Sequence, residues 1–517
     1  MLRRLLLAGA TLVALVAVLL YRQPSSPVED RIVVPGRKNT VLFLTSAANG
    51  LSNSHLATTF ALLEKHPEVQ IHYASFDRLA PEIERISAAA KVKNPTAGDV
   101  TWHLLPEVDF KDALLSQKPL DYLVSAPGLA GVDHFNDIMS MGLCPWNVDQ
   151  YWSIFQAVTK LVEEIDPAVT VLDVTLQPAM DLPRNMNRSF IIVTPNALTD
   201  LLAPLQPRLG FLWKYPTMAS GLPFPVPWRQ IPTNIYLNYR LIKTFMFHPR
   251  ITEKKAALTE KGIKEPLKVD AIAGTAGVPW LAMSFPESCA PLDVIPPLMK
   301  PVGPLVLDVA PAEVQDPELA AWLKRAPTVL VNLGSAMMYS EPRASAMAGA
   351  MVRVLEATDV QFLWKFRKYG KYESDAWRKP LEKYIAEGRV NIVDWLNVDP
   401  LSLLNTGDIA VSVHHGGANC YYEAVAAGVP HVILPLWIDL YNFATTAEYL
   451  GIGVWPGKET APEWEAESLA EGFMQALTGE AAATMREKAK ALAKIAESYG
   501  GRDAAAAEIA KLAAEGV

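Results

Sequence analysis

The residues best suited to chemistry lie between Trp395 and Asp439. Two histidines and two glycines follow the apolar run 409–413, and residues 419–427 favour a helix that ends at Gly428. A glycine-rich turn between a strand and a helix directs backbone N–H groups and the positive end of the helix dipole at one point. This stretch therefore predicts a binding site for phosphate or pyrophosphate.

Glycines alone would be weak evidence for such a site. The turn is made specific by the spacing of the residues around it, which are His415, Gly417, Asn419, Glu423 and Asp439. An imidazole, an amide and two carboxylates at these positions could bind the polar groups attached to a phosphate.

Alternating strands and helices must position this turn. Apolar runs at 40–45 and 69–75 flank a small-residue turn with Gly50 and a helical segment at 55–65, which predicts a βαβ unit. The alternation continues to residue 284 and restarts at residue 328. The pattern predicts an α/β protein with two doubly wound, Rossmann-like domains, whose ligands bind in the crevice at the carboxyl ends of the strands.

The predicted domain boundaries follow from this alternation. An N-terminal domain spans 39–295, and a proline-rich linker at 296–310 leads to a C-terminal domain at 311–480 and terminal helices at 481–517. Segment 203–232, rich in Pro, Trp and Phe, is predicted to form a long loop over the cleft.

Composition excludes several functional classes. The 517-residue chain has a net charge of −8 and no basic stripe, so nucleic acid is not an expected partner. Its three cysteines are far apart, and its nine histidines form no metal-binding motif. Neither a disulfide framework nor a metal cofactor is predicted.

The N-terminus carries an apolar run from Leu5 to Tyr21, after Arg3 and Arg4. No small-residue cleavage site follows, so residues 1–22 are predicted to be a transmembrane signal anchor rather than a removed signal peptide, with 23–38 as a linker. The positive-inside rule then places the body of a single-pass protein in the lumen of the endoplasmic reticulum or another endomembrane. One glycosylation sequon, Asn187-Arg188-Ser189, is compatible with that location.

Taken together, the motifs resemble the signature of the UDP-glycosyltransferases of the GT-B fold, and of fungal members in particular. The resemblance covers most of residues 40–460 and is strongest over 300–455. The matching motifs are Trp395, His415-x-Gly417-x-Asn419-x-x-x-Glu423, Gly428-Val429-Pro430, Asp439, Gly334-Ser335, Phe362-Leu363-Trp364 and Lys300-Pro301-Val302-Gly303-Pro304.

This resemblance implies a UDP-sugar site that needs no metal. Trp395 would stack on uracil, Glu423 would accept both ribose hydroxyls, and Asp439 would bind sugar hydroxyls. The pyrophosphate would be held around the turn by Ser335, His415, Gly417, Asn419 and Cys420. Leu440 stands where the family often has a sugar-binding Gln, so the resemblance does not extend to the choice of donor sugar.

The resemblance also implies inverting transfer, in which a base removes the proton of the acceptor hydroxyl. The family's base usually follows the glycine of the first turn, but here Leu51 follows Gly50. His55, one helical turn later, is a candidate replacement, although it could equally be a locally satisfied helix residue. Asp173, at a strand's carboxyl end, matches the acid that orients the base, or it caps a turn. His134 is a third candidate base.

The sequence thus predicts a membrane-tethered hexosyltransferase that uses a UDP-sugar and a lipophilic small-molecule acceptor, such as a sterol or secondary metabolite. An alternative is a non-catalytic UDP-sugar-binding or partner-binding protein that has lost the catalytic histidine. A further alternative is a transferase that acts on a membrane lipid.

Overall fold

The computed structural model describes residues 33–268, 277–335, 337–370, 372 and 375–516. Short β-branched and apolar runs form its strands, almost all of them buried. The strands in chain order are β1 Arg37–Leu44, β2 Gln70–Ser75, β3 Val100–Leu104, β4 Pro167–Asp173, β5 Phe190–Thr194, β6 Trp280–Ala282, β7 Met299–Pro301, β8 Thr328–Val331, β9 Gln361–Lys365, β10 Val390–Val393, β11 Ile409–His414, β12 His431–Ile433 and β13 Gly453–Val454.

Helices cover both sheets. In chain order they are α1 Asn49–Lys65, α2 Ala80–Lys93, α3 Phe110–Leu115, α4 Gly128–Gly142, α5 Val148–Ile165, α6 Gln177–Met180, α7 Leu182–Asn185, α8 Leu198–Leu202, α9 Gly210–Trp213, α10 Ile231–Phe247, α11 Pro249–Glu260, α12 Ala312–Gln315, α13 Pro317–Leu323, α14 Glu341–Ala357, α15 Glu382–Ala386, α16 Pro400–Leu404, α17 Ala418–Ala427, α18 Leu440–Leu450, α19 Ala466–Leu477, α20 Gly479–Ser498 and α21 Gly501–Glu515.

The strands form two parallel sheets, which confirms the predicted pair of doubly wound domains. The first has seven strands in the order β3-β2-β1-β4-β5-β6-β7, and the second has six in the order β10-β9-β8-β11-β12-β13. Strand order reverses between β1 and β4 in the first sheet and between β8 and β11 in the second. Ligands of such sheets bind at these reversal points, beyond the carboxyl ends of the strands.

Three predicted segments differ in extent from the structure. Strand β1 begins at Arg37, inside the predicted linker 23–38, and β7 lies inside the predicted linker 296–310 because Met299–Pro301 pairs with β6. Helix α1 begins at Asn49, so Gly50 and Leu51 belong to its first turn rather than to a loop.

The last helix returns to the first domain. Helix α21 packs against α1, β1 and β4, and Gly501 N donates to Val302 O at 2.7 Å. Ala505, Ala506 and Ile509 are fully buried in this contact. The N-terminal domain is therefore completed by the end of the chain.

None of the helices in the described part of the chain is long and apolar enough to cross a bilayer. The predicted anchor at residues 1–22 lies outside the described residues and stays a prediction.

Candidate functional site

The turn after β11 requires glycine at position 416. Its φ is +92°, and a Cβ there would lie 2.8 Å from Ile433 Cγ2 and 3.0 Å from the carbonyl oxygen of Leu440. The N–H of Gly416 donates to His414 Nδ1 at 3.1 Å, so the His414 proton resides on Nε2, which donates to His431 Nδ1 at 2.9 Å. Burial lowers the pKa of His431 to about 3 and that of His414 well below its usual value. His414 thus fixes the shape of the turn as a neutral ring.

His415 lies in a slot between two glycines. A Cβ on Gly334 would come within 2.6 Å of its Cε1, and one on Gly417 within 2.5 Å of its Nε2. Burial, with a further contribution from the charge of Lys365, lowers the pKa of His415 to about 4. Its Nδ1 is buried and has no hydrogen-bond partner among the described residues. A neutral imidazole with an unpaired nitrogen is available to a ligand.

Helix α17 begins at this slot without a side-chain cap at Gly417. Its first turn closes through Tyr421 N to Gly417 O at 3.0 Å, which leaves the preceding N–H groups pointing out of the helix end. Asn419 Oδ1 is buried beside them with no partner among the described residues. Uncapped N–H groups and the positive end of the dipole form an anion site.

Two cations that the sequence analysis missed lie beside this site. Lys365 and Arg367, at the carboxyl end of β9, donate to the carbonyls of Gly334 and Ser335 at 2.9 and 2.7 Å. Burial lowers the pKa of Lys365 to about 8, so the ammonium remains mostly charged at neutral pH. Their position at the end of a strand next to β8 was the signal that could have revealed them.

Trp395 stands over the same cations. Lys365 Nζ lies 4.2 Å and Arg367 Cζ 5.6 Å from the centroid of its ring. The side chain is 50% exposed, unlike most large aromatic residues of this domain. An exposed indole face next to an anion site suits the stacking of a flat base.

Two further predicted residues lie along α17. Burial, with a further contribution from the charge of Asp399, raises the pKa of Glu423 to about 8. Glu423 makes no hydrogen bond or ion pair with the described residues, so its carboxyl group is available to hydroxyl donors. Burial also raises the pKa of the Cys420 thiol to about 12, which keeps it protonated.

At the other end of the site, Asp439 precedes α18 and faces a carboxylate from the first domain. Burial raises the pKa of Asp439 to about 6 and that of Asp200 to about 7; the charge of Asp439 contributes to the latter. Asn442 Nδ2 donates to Asp200 Oδ1 across the domain boundary at 2.5 Å. Leu440, the residue after Asp439, has a buried apolar side chain that is 2% exposed and offers no hydrogen bond. Neither Asp200 nor Asn442 was predicted, because only the fold brings them together.

A narrow crevice of about 20 Å³, with room for about one water molecule, lies beside Asp200 and Asn442 along α18. Its walls include the aromatic residues Tyr215, Phe224 and Tyr449. The rings of Phe224 and Tyr449 meet edge to face across the domains, with centroids 5.2 Å apart. The segment predicted as one long loop, 203–232, contains α9 and short helical turns, and it supplies one wall of this crevice.

The candidate base, His55, lies on α1 and not on the turn that carries the donor-site residues. His55 is fully buried in α1, and neither ring nitrogen has a partner among the described residues. Burial lowers its pKa, while the charge of Asp173 acts in the opposite direction. The oxygens of Asp173 accept from Ser46 N and Thr175 N at 3.0 and 2.8 Å, and no hydrogen bond joins Asp173 to His55.

The structure therefore assembles the predicted donor-site residues around one turn and places α1, with His55, against α17. His134 lies in α4, where its Nε2 is 2.7 Å from the carbonyl oxygen of Tyr122. No group of three or more potential metal ligands occurs within the described ranges.

Comparisons with known proteins identify relatives. Residues 375–510 match the family described as erythromycin biosynthesis protein CIII-like, C-terminal domain. Glycosyltransferase sdnJ of Sordaria araneosa is 34% identical over 440 residues, which span 82% of this chain and 84% of that protein. Human 2-hydroxyacylsphingosine 1-beta-galactosyltransferase is 28% identical over 247 residues, 45% of this chain and 39% of the human protein.

Solved structures share the fold. A UDP-glucosyltransferase from Polygonum tinctorium, in a complex with 3,4-dichloroaniline, aligns with a TM-score of 0.59 at 19% identity. The alignment covers 93% of this chain and 99% of that one.

Proposed function

Because this chain belongs to the UDP-glycosyltransferases of the GT-B fold and is a glycosyltransferase, we propose that it transfers a hexose from a UDP-sugar to a hydroxyl of a lipophilic small molecule. The observation that carries the proposal is the uncapped end of α17, where unpaired atoms of His415 and Asn419 meet Lys365 and the exposed face of Trp395.

Each part of a UDP-sugar has a counterpart in this arrangement. Uracil stacks on Trp395, and the ribose hydroxyls donate to Glu423. The pyrophosphate binds at the end of α17, within reach of Lys365 and His415. Asp439 accepts hydrogen bonds from the sugar, and the amide of Asn442, which contacts Asp200, is a second polar group on the same helix.

The reaction forms one bond and breaks another. The acceptor oxygen attacks the anomeric carbon, the bond from that carbon to the β-phosphate oxygen breaks, and UDP leaves with the electron pair. The acceptor proton passes to a base. Negative charge grows on the β-phosphate as the sugar leaves, and the α17 N-terminus and Lys365 stabilise it. No metal is needed in this scheme.

Two groups are candidates for the base. His55 is the predicted one, but its ring is fully buried and would have to become exposed before it could reach the acceptor. Asp200 faces Asp439 in the crevice, and its raised pKa of about 7 is that of a general base at neutral pH.

The lipophilic character of the acceptor rests on the relatives, because the narrow crevice lined by Tyr215, Phe224 and Tyr449 has room for only about one water molecule. The human relative is named for transfer to an acylsphingosine, which is a lipid. Membrane attachment through residues 1–22 and an endomembrane location remain part of the proposal.

The test is UDP release and product mass in the presence of several UDP-hexoses and a panel of sterols, polyketides and sphingolipids. We expect an acceptor that gains one hexose. UDP binding with no turnover on any acceptor would instead support the non-catalytic alternative. Variants His55→Ala and Asp200→Asn assign the base, since loss of the base lowers kcat by about 100-fold or more while UDP affinity is retained.

A further inference from the structure

The chain contains a long stretch without acidic residues, although its net charge is −8. None of residues 201–252 is Asp or Glu, whereas six are basic: Arg208, Lys214, Arg229, Arg240, Lys243 and Arg250. Such a separation of charge marks a surface that meets a negatively charged partner.

Acidic residues from other elements neutralise half of these cations. Arg240 pairs with Asp133, Arg250 with Asp137 and Lys214 with Asp293. The other three, Arg208, Arg229 and Lys243, are exposed and have no ion pair with the described residues.

Large apolar side chains are exposed beside the unpaired cations. They are Leu209 at 36%, Trp213 at 45%, Trp228 at 74% and Phe247 at 56% exposure. The charged carbon of Arg229 lies 5.1 Å from the ring centroid of Trp228. Tryptophan and phenylalanine next to arginine and lysine are typical of side chains at the interface between a bilayer and water.

Helix α10 carries two of these residues, Lys243 and Phe247, on one face. Trp228 begins the short helical turn Trp228–Gln230 that leads into α10, and Pro232, Tyr236, Lys243 and Phe247 recur at helical spacing along the outer face of the helix, over about 25 Å. The inner face is held by buried Asn234, Leu237 and Asn238, which pack towards the domain.

The short helix α9 is fixed to the same end of α10. Asn234 Nδ2 donates to the carbonyl oxygen of Leu212 at 3.1 Å, and Asn238 Nδ2 to that of Phe211 at 2.9 Å. Because Asn234 and Asn238 belong to the inner face, α9 packs behind α10 and holds it against the domain. The surface formed by Trp228, Arg229, Lys243 and Phe247 is called the α10 surface below.

We propose that the α10 surface docks on an anionic lipid bilayer, with Trp228 and Phe247 at the headgroup level and Arg229 and Lys243 against lipid phosphates and carboxylates. Charge complementarity selects an anionic partner, and the exposed aromatic rings at the two ends of the outer face of α10 select a bilayer over a free anion.

The proposal is tested on the full chain with an environment-sensitive fluorophore on an introduced cysteine. Cys144 and Cys289 are buried and Cys420 is half-buried, so exposed positions can be labelled selectively. Trp228→Cys and Phe247→Cys report on the surface. Val92→Cys is the control, because Val92 is an apolar residue that is 85% exposed on α2. Vesicles of phosphatidylcholine, with and without phosphatidylserine, are added to each.

We expect the labels at 228 and 247 to shift to an apolar environment with phosphatidylserine vesicles and the label at 92 to remain in water. Arg229→Glu combined with Lys243→Glu should weaken the response at least about tenfold in lipid concentration. The matched pair Arg378→Glu and Lys379→Glu, on exposed residues of the other domain, should not. Equal responses at 92, 228 and 247, no response at 228 and 247, or a response unaffected by the charge reversal would overturn the proposal.

Discussion

Lys365 joins the two halves of the donor site at the level of single residues. It contacts the carbonyl of Gly334 next to the His415 slot and also lies over the ring of Trp395. An ammonium group in that position can contact the pyrophosphate while the indole stacks on the uracil. Its lowered pKa shows that the ammonium is partly desolvated, which strengthens its attraction to phosphate.

Replacement of Lys365 by Met should raise the dissociation constant for UDP about 10- to 100-fold, because it removes a charge-assisted contact while it keeps the side-chain volume. Titration calorimetry measures this. Lys368→Met is the control, since Lys368 is exposed a few residues beyond the strand. Equal affinities for the wild type and the Lys365 variant would remove Lys365 from the site.

Asp200 should make stability depend on pH. Its pKa is raised to about 7 in the fold against about 4 in an unfolded chain, so its stabilising contribution is complete below pH about 4 and is lost as pH rises through 7. Asp200→Asn should therefore gain roughly 1–3 kcal/mol over the wild type between pH 4 and pH 8. Urea unfolding at several pH values gives the comparison, with Asp394→Asn at an exposed position as control. Parallel pH curves for the wild type and Asp200→Asn would contradict the assignment.

At the scale of elements, the site is the meeting of strand ends with one helix. Strands β8, β9 and β11 are neighbours in the sheet, so the residues that follow them, Ser335, Arg367 and His415, emerge at one edge. The uncapped start of α17 faces that edge. The turn at Gly416, which has a positive φ that glycine adopts readily, sets the direction in which the helix leaves the sheet.

Gly416→Ala should destabilise the fold by roughly 2–4 kcal/mol, because the new methyl group meets Ile433 and the Leu440 carbonyl at a positive φ. Gly407→Ala separates the effect of the positive φ from the effect of the close contacts. Gly407 also has a positive φ, of +82°, but nothing lies within 4 Å of its Cβ position, so only about 1 kcal/mol is expected. Chemical unfolding of both variants decides, and equal losses would show that the contacts at Gly416 are unimportant.

The sequence predicted the alternating strands and helices and the turn after β11. Hydrophobic periodicity, β-branched runs and glycines are local signals, so they can be read without knowledge of the fold. The predicted strand at 69–75 and the predicted helix at 419–427 agree with Gln70–Ser75 and Ala418–Ala427 to within one residue. Asp200 and Asn442 were beyond its reach, since they are 242 residues apart and meet only across the domain boundary. The roles predicted for Trp395, Glu423, Asp439 and His55 stay predictions that binding and activity measurements must test.

At the scale of the whole molecule, the end of the chain stabilises its beginning. Helix α21 follows the C-terminal domain in sequence but fills the N-terminal core against α1, β1 and β4. Because α21 packs against α1, the helix that carries His55 is held in place by the end of the chain. The helix-forming composition of the last residues does not indicate which domain they pack against.

Ile509→Ala should lower the stability of the N-terminal domain by about 2–4 kcal/mol, since Ile509 is fully buried in that core. Hydrogen exchange should rise in α1 and β1 more than in α17. Ile495→Ala, on a residue 38% exposed in α20, is the control and should change stability by no more than about 0.5 kcal/mol. Faster exchange confined to the second sheet would argue against the coupling.

The central claim is that the α17 turn binds the nucleotide, and a titration of UDP into the full chain tests it most directly. The account predicts saturable binding of one UDP, much weaker binding of uridine, and at least a tenfold loss of UDP affinity in Glu423→Ala, because the ribose hydroxyls lose their acceptor. UDP that fails to bind, or binds equally well to the wild type and Glu423→Ala, would contradict the account.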